Sequence, residues 1–189
     1  MPAVLGVVGS PRTQGNTHIL VSRILESAAS AGTDTRLLML GDMGIRECNG
    51  CHACWKGLRC SKNDDMNAVY PLIAKSDAIV FGTPVYWYGP TALMKAFLDR
   101  FVYFNCPEHR PKIRATRALV AVPFEEKDPK TAELLVNMFH RSFNWLEIEP
   151  AGTILAPGVG EKGDILRERA ILDSAFEAGR RLARGTNPD

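Results

Sequence analysis

The chain of 189 residues is long enough for one domain whose hydrophobic core needs no disulfide or metal to staple it. Apolar residues make up 46% and charged residues 23%, as in an ordinary globular protein, and a net charge of +2 gives no reason to look for nucleic acid or a membrane surface as partner. The longest apolar stretch, 78–89, is interrupted by Gly82 and Pro84 and is too short to span a bilayer, and no basic leader or cleavage site precedes the first apolar run, so the expected location is cytoplasmic.

In chain order, short β-branched apolar runs alternate with stretches of helical period. Ala3–Val8 does not alternate and reads as a strand buried on both faces. Thr17–Ala31 follows as a helix, with Asn16 as N-cap and Leu20, Val21, Ile24, Leu25 and Ala28 on one stripe. Arg36–Leu40 is the second strand, and a loop at about 41–63 then holds four of the five cysteines. Asp64 or Asp65 caps a helix running to about Lys75, and Ala78–Thr83 is the third strand. Pro90 opens a helix whose Leu93, Met94, Phe97, Leu98 and Phe101 share a face. A strand at Ala118–Val122, a helix over Thr131–Trp145, a strand at Ala151–Leu155 and an amphipathic helix from near Asp164 to about Arg184 complete the order. Five strands, each followed by a helix, predict a single α/β domain over 1–189, with a parallel sheet covered on both faces.

In such sheets ligands bind beyond the carboxyl ends of the strands, where the strand order reverses. After the first strand comes Gly9-Ser10-Pro11-Arg12-Thr13-Gln14-Gly15-Asn16-Thr17 and then a helix. A helix start offers unpaired N–H groups and a positive dipole end; Ser10, Asn16 and Thr17 add donors and Arg12 a charge, so the loop suits a phosphate. It is neither a nucleotide P-loop, having five residues between its glycines and then Asn-Thr, nor a Gly-x-Gly-x-x-Gly dinucleotide turn. The plain alternative is an ordinary strand-to-helix turn.

After the third strand, Pro84-Val85-Tyr86-Trp87-Tyr88-Gly89 sets three consecutive aromatics on a loop, where not all can point inward. A flat, largely apolar isoalloxazine would find stacking surface and backbone donors there. Cover for a helix or a dimer interface is the competing reading, and the neighbouring phosphate loop favours the flavin.

The spacing Cys48-x2-Cys51-x2-Cys54-x5-Cys60 gathers four thiols on one loop, which suits a [4Fe–4S] cluster with one sulfur ligand per iron. A structural zinc more often uses two separated Cys-x-x-Cys pairs, and reduced thiols that merely pack the loop are a third possibility. Lys56, Arg59 and Lys62 would partly offset a cluster's negative charge.

The Gly-Ser-Pro-Arg…Gly-Asn-Thr loop, the cysteine segment ending in Asp64-Asp65-Met66, the Thr83-Pro84-Val85-Tyr86-Trp87 loop, Lys95…Asp99-Arg100 and Gly158-Val159-Gly160-Glu161-Lys162-Gly163-Asp164 together resemble the NAD(P)H-dependent FMN reductase and iron-sulfur flavoprotein branch of the flavodoxin-like superfamily, over residues 3 to about 183. The resemblance implies a flavodoxin-like doubly wound sheet of strand order 2-1-3-4-5. It implies FMN as cofactor, with its phosphate held by Ser10, Arg12, Asn16 and Thr17 and its ring lined by Pro84, Val85, Tyr86 and Trp87. It also favours a cluster on Cys48, Cys51, Cys54 and Cys60. Many relatives place a glycine-rich loop over the flavin after the fourth strand. Here Pro123-Phe124-Glu125-Glu126-Lys127-Asp128 stands in that place, and two carboxylates near a reduced flavin argue against a contact there.

The function so implied is FMN-dependent oxidoreduction, with electrons passing between a [4Fe–4S] cluster and FMN and a ferredoxin-like protein as donor. The alternative is an NAD(P)H-dependent FMN or quinone reductase without a cluster, serving a small-molecule acceptor. A homodimer or homotetramer is expected from the resemblance.

Overall fold

The computed structural model describes residues 3–184. Five parallel strands, β1 (Ala3–Val8), β2 (Asp34–Met39), β3 (Ala78–Gly82), β4 (Arg117–Pro123) and β5 (Glu149–Ala156), form one sheet in the order β2-β1-β3-β4-β5. Val7 pairs with Leu38 on one side and Phe81 on the other, so β1 is central and buried on both faces, as its unbroken apolar run requires.

The connection from β1 to β2 runs one way along the sheet, and those to β3, β4 and β5 run the other way. Right-handed crossovers therefore place α1 (Asn16–Ser30) on one face and α2 (Met66–Lys75), α3 (Ala92–Asp99), α4 (Val102–Asn105) and α5 (Glu133–Leu146) on the opposite one. α6 (Arg169–Arg184) follows β5 and packs beside α1. The α1/α6 core contains Val4, Val8, Leu20, Ile24, Val80 and Leu182; the other contains Leu5, Val7, Ile73, Phe81, Phe97 and Phe139.

Several boundaries differ from the sequence reading for local reasons. β2 begins at Asp34 and ends at Met39, with Leu40 turning into a short 3-10 helix. The Thr91 hydroxyl accepts the Met94 amide and makes Thr91, not Pro90, the entry to α3. Phe101 lies beyond α3. The last helical stretch is two pieces, a 3-10 turn over Asp164–Arg167 and then α6. α1 starts at Asn16 with Gly15 as its cap, so Asn16 is the first helical residue and its side chain caps no amide of α1.

Gly82 lets α1 sit close against the sheet. A Cβ there would lie 2.3 Å from Val21 Cγ2. That close approach seats the start of α1 beside the carboxyl ends of β1 and β3, where the strand order reverses.

Candidate functional site

The loops after β1 and β3 are tied at this switch point. Gly9 donates its amide to Gly82 O at 2.7 Å, and the buried Thr91 hydroxyl donates to Gly9 O at 2.6 Å. A cavity opens above this junction, lined by Ser10, Arg12, Asn16, Thr17, Pro84, Val85 and Tyr86, seven of the eight residues expected to hold a flavin. Ser10 and Thr17 are buried, and Ser10 Oγ accepts the Arg12 amide at 3.2 Å. The amides of Asn16 and Thr17 open α1 and have no intrahelical carbonyl to meet, so the cavity floor presents donors.

Trp87 is the exception, at 97% exposure and outside the cavity. Tyr86 and Gly89 exchange backbone hydrogen bonds of 2.8 and 3.0 Å, closing a tight turn whose central residues, Trp87 and Tyr88, have φ of 49° and 62°. Such a turn needs left-handed backbone at both central positions and throws their rings outward.

Asn16 also departs from expectation. Its Nδ2 donates to Val159 O (3.2 Å) and Glu161 O (2.8 Å), and its Oδ1 accepts the amides of Gly163 (3.0 Å) and Ile165 (3.2 Å). Two donors and two acceptor sites are all that a carboxamide has. The side chain is wholly committed to the loop between β5 and α6, and only its backbone amide remains for the cradle. Arg12 Nη1 joins the same clasp by donating to Gly160 O at 3.2 Å.

The loop after β4 lines the cavity too, contrary to the expectation that its carboxylates keep it away. The Phe124 amide donates to Ala156 O and the Val159 amide to Phe124 O, so this loop zips onto the one after β5. Phe124 is buried, and Glu125 is carried to the cavity wall, where a Cβ on Gly160 would lie 3.0 Å from its Cγ. Val159, Gly160, Phe124 and Glu125 are lining residues that sequence reasoning missed. His18, in the first turn of α1, accepts the Gln14 amide on Nδ1 and faces an open groove between α1 and α6.

A second, more enclosed cavity is bordered by all four cysteines of the 41–63 loop. Among the described residues, no three His, Cys, Asp or Glu side chains close on a point fit for a single metal ion. Three of the four sulfurs take part in a hydrogen bond. The Gly50 amide reaches Cys48 Sγ at 3.5 Å, Ser61 Oγ lies 3.0 Å from Cys51 Sγ, and Arg100 Nη2 reaches Cys60 Sγ at 3.2 Å. The Ser61 contact, helped by backbone amides, draws the Cys51 thiol below its ordinary pKa. Burial, then the neighbouring Cys106, push that of Cys54 up. Cys106 is itself buried, while His52 is exposed with φ of 54°.

Beneath this cavity lies a buried ion pair. Arg100 and Asp64 have side chains 1% and 3% exposed and meet fork to fork, Nη1 to Oδ2 at 2.7 Å and Nη2 to Oδ1 at 3.2 Å. Burial raises the Asp64 pKa, but the Arg100 and backbone hydrogen bonds outweigh it and leave the carboxyl below its usual range. Burial also raises the Tyr70 phenol, whose oxygen accepts from Arg100 Nε at 3.3 Å. Sequence reading placed Asp64 at a helix start and Arg100 in a motif of the resemblance, but gave no sign that the two pair.

The sequence pattern of the NADPH-dependent FMN reductase family matches residues 2–148. The chain belongs to that family. Within it, an iron-sulfur flavoprotein of Archaeoglobus fulgidus is 32% identical over 185 residues, covering 94% of this chain and 82% of that one. An iron-sulfur flavoprotein of Methanocaldococcus jannaschii is 36% identical over 97 residues, covering 51% of this chain and half the length of the relative. This member of the FMN reductase family is thus an FMN-dependent oxidoreductase of the iron-sulfur flavoprotein group. An NAD(P)H:quinone oxidoreductase from Methanothermobacter marburgensis superposes with a TM-score of 0.78 at 19% identity, over 96% of this chain and 98% of that one. Such low identity speaks for the flavodoxin-like fold alone. No helix among the described residues is long and apolar enough to cross a membrane.

Proposed function

We propose that the chain, as one domain, binds FMN in the switch-point cavity and a [4Fe–4S] cluster in the cysteine cavity, and passes electrons between them in the cytoplasm. The observation carrying this reading is the enclosed cavity bordered by Cys48, Cys51, Cys54 and Cys60, with three of the sulfurs in hydrogen bonds, in a chain 32% identical to an iron-sulfur flavoprotein. Four thiols from one loop, with hydrogen bonds to their sulfurs, fit the ligand set of such a cluster.

When bound, FMN supplies the redox chemistry and the cluster single-electron exchange, while the protein binds and orients them. Ser10, Arg12 and the first amides of α1 would hold the phosphate. Pro84, Val85 and Tyr86 would line the ring, and Asn16 holds the overlying loop in place. Glu125 brings a carboxylate to the cavity wall, where it would disfavour accumulation of negative charge on the ring.

The family pattern favours a second reading, direct NAD(P)H oxidation with a small-molecule acceptor and no cluster. Under the first reading the partner is a ferredoxin-like donor, and under either the chain works as a homodimer or homotetramer.

Anaerobically purified and reconstituted protein, assayed together for iron, sulfide and flavin, tests the choice. About four irons and four sulfides per FMN support the cluster reading. FMN without iron, with steady NADPH oxidation, replaces it by the second.

A further inference from the structure

Arg100 has five N–H donors, and each has an acceptor. Nε serves Tyr70 Oη, Nη1 serves Arg46 O (2.9 Å) and Asp64 Oδ2, and Nη2 serves Asp64 Oδ1 and Cys60 Sγ. The two-point grip of Asp64 fixes the plane of the guanidinium. Asp64 is fixed in turn by the amides of Arg46 (3.1 Å) and Met66 (3.3 Å). One N–H of an immobile, buried cation therefore points at the sulfur of Cys60, and Arg46 O ties the start of the cysteine loop to the same group.

We propose that Arg100 is a positioning residue for Cys60 that sets the reduction potential of a cluster bound there, with Asp64 as its counterweight. This rests on the cluster reading above. A charged donor on a ligand sulfur draws electron density from it and favours the reduced, more negative cluster. Asp64, one residue further from the sulfur, opposes that field. The two partners must therefore move the potential in opposite directions, which a merely structural ion pair would not do.

The test is an EPR-monitored redox titration of reconstituted protein, two variants of the ion pair and one control. Arg100→Lys keeps the charge beside Asp64 but loses the fork that reaches Cys60, and is expected to disfavour reduction about tenfold, near 59 mV more negative for a one-electron couple. Asp64→Asn keeps an acceptor for Arg100 but removes the opposing charge, and is expected to shift the potential positive. Tyr70→Phe, which leaves the Cys60 contact in place, is the control and should stay at the wild-type value. Iron lost from Arg100→Lys while FMN and circular dichroism are retained also supports the positioning role. Wild-type potentials in both ion-pair variants, each carrying full iron, overturn the proposal, and so do shifts of the same sign in both. If Arg100→Lys does not fold, Asp64→Asn decides alone: a positive shift supports, and no shift overturns. Wild-type protein that takes up no iron overturns the cluster reading itself, an outcome distinct from these.

Discussion

Asn16 and Gly163, 147 positions apart, are joined by a 3.0 Å hydrogen bond from the Gly163 amide to the Asn16 carboxamide oxygen. It is one of four such bonds through which the first residue of α1 holds the loop after β5 over the switch-point cavity. A residue that resemblance assigns to phosphate is thus a clasp between the first and last loops of the site.

Asn16→Ala removes all four bonds at once and loosens the loop after β5, leaving it held at the cavity by the Val159–Phe124 and Arg12–Gly160 hydrogen bonds. FMN affinity should fall about tenfold, worth ~1.4 kcal/mol, while the far-UV spectrum is retained. Fluorescence titration with FMN reads this directly, and unchanged affinity would show that the clasp is irrelevant to binding. Asn16→Asp should be as damaging, since it places oxygen against the carbonyls of Val159 and Glu161.

Trp87 stands outside the cavity, in left-handed backbone that glycine adopts without strain. Trp87→Gly should leave FMN affinity within about twofold, with relief of left-handed strain and the greater freedom of glycine in the unfolded chain opposing each other in stability. A loss of affinity of tenfold or more would instead place the indole on the flavin, as the resemblance implies.

Cys51→Ala removes one of the four cavity thiols at an exposed position. Iron bound after anaerobic reconstitution should drop to a small fraction of the wild-type amount with FMN content unchanged. Stoichiometric iron retained by the variant would sink the four-ligand arrangement.

Gly179 on α6 faces α1 so closely that a Cβ would lie 2.1 Å from Ile24 O, a backbone atom that cannot swing aside. Gly179→Ala should cost about 3 kcal/mol, a fall in Tm of roughly 6–12 °C for a chain this size. Thermal melts check the value, and a wild-type Tm would mean that the helices separate at little cost.

Asp64 gives a pH dependence whose sign follows from its depressed pKa. Its contribution to stability is complete above the unfolded carboxyl value of about 3.9 and is lost as pH falls through the lower folded value. Urea melts from pH 6 to pH 2.5 should show wild type losing stability in acid more steeply than Asp64→Asn, which has no such group to protonate. Parallel curves would remove Asp64 from the acid-labile set.

The strands and the inward faces of the helices were legible because each depends on local pattern, whereas the strand order was implied by the family resemblance. Unbroken apolar runs such as Ala3–Val8 identify buried strands, the helical stripe of Leu20, Ile24 and Ala28 gives α1 its inward face, and crossover handedness limits how the pieces assemble. The cradle was legible for the same reason, since Ser10, Arg12 and Thr17 lie on the one short segment that leads from β1 into α1. Glu125, Phe124, Val159 and Gly160 were not, because they reach the cavity only when two loops far apart in the chain zip together.

By itself, then, the sequence determined residue chemistry and local geometry: a parallel α/β sheet, a donor-rich helix start, an aromatic turn and four thiols on one loop. Only the tertiary structure decided how those groups are used. A carboxamide, a guanidinium or an indole acts on whatever long-range packing brings within hydrogen-bond reach. That reach commits Asn16 to the last loop, turns Trp87 outward and aims Arg100 at Cys60.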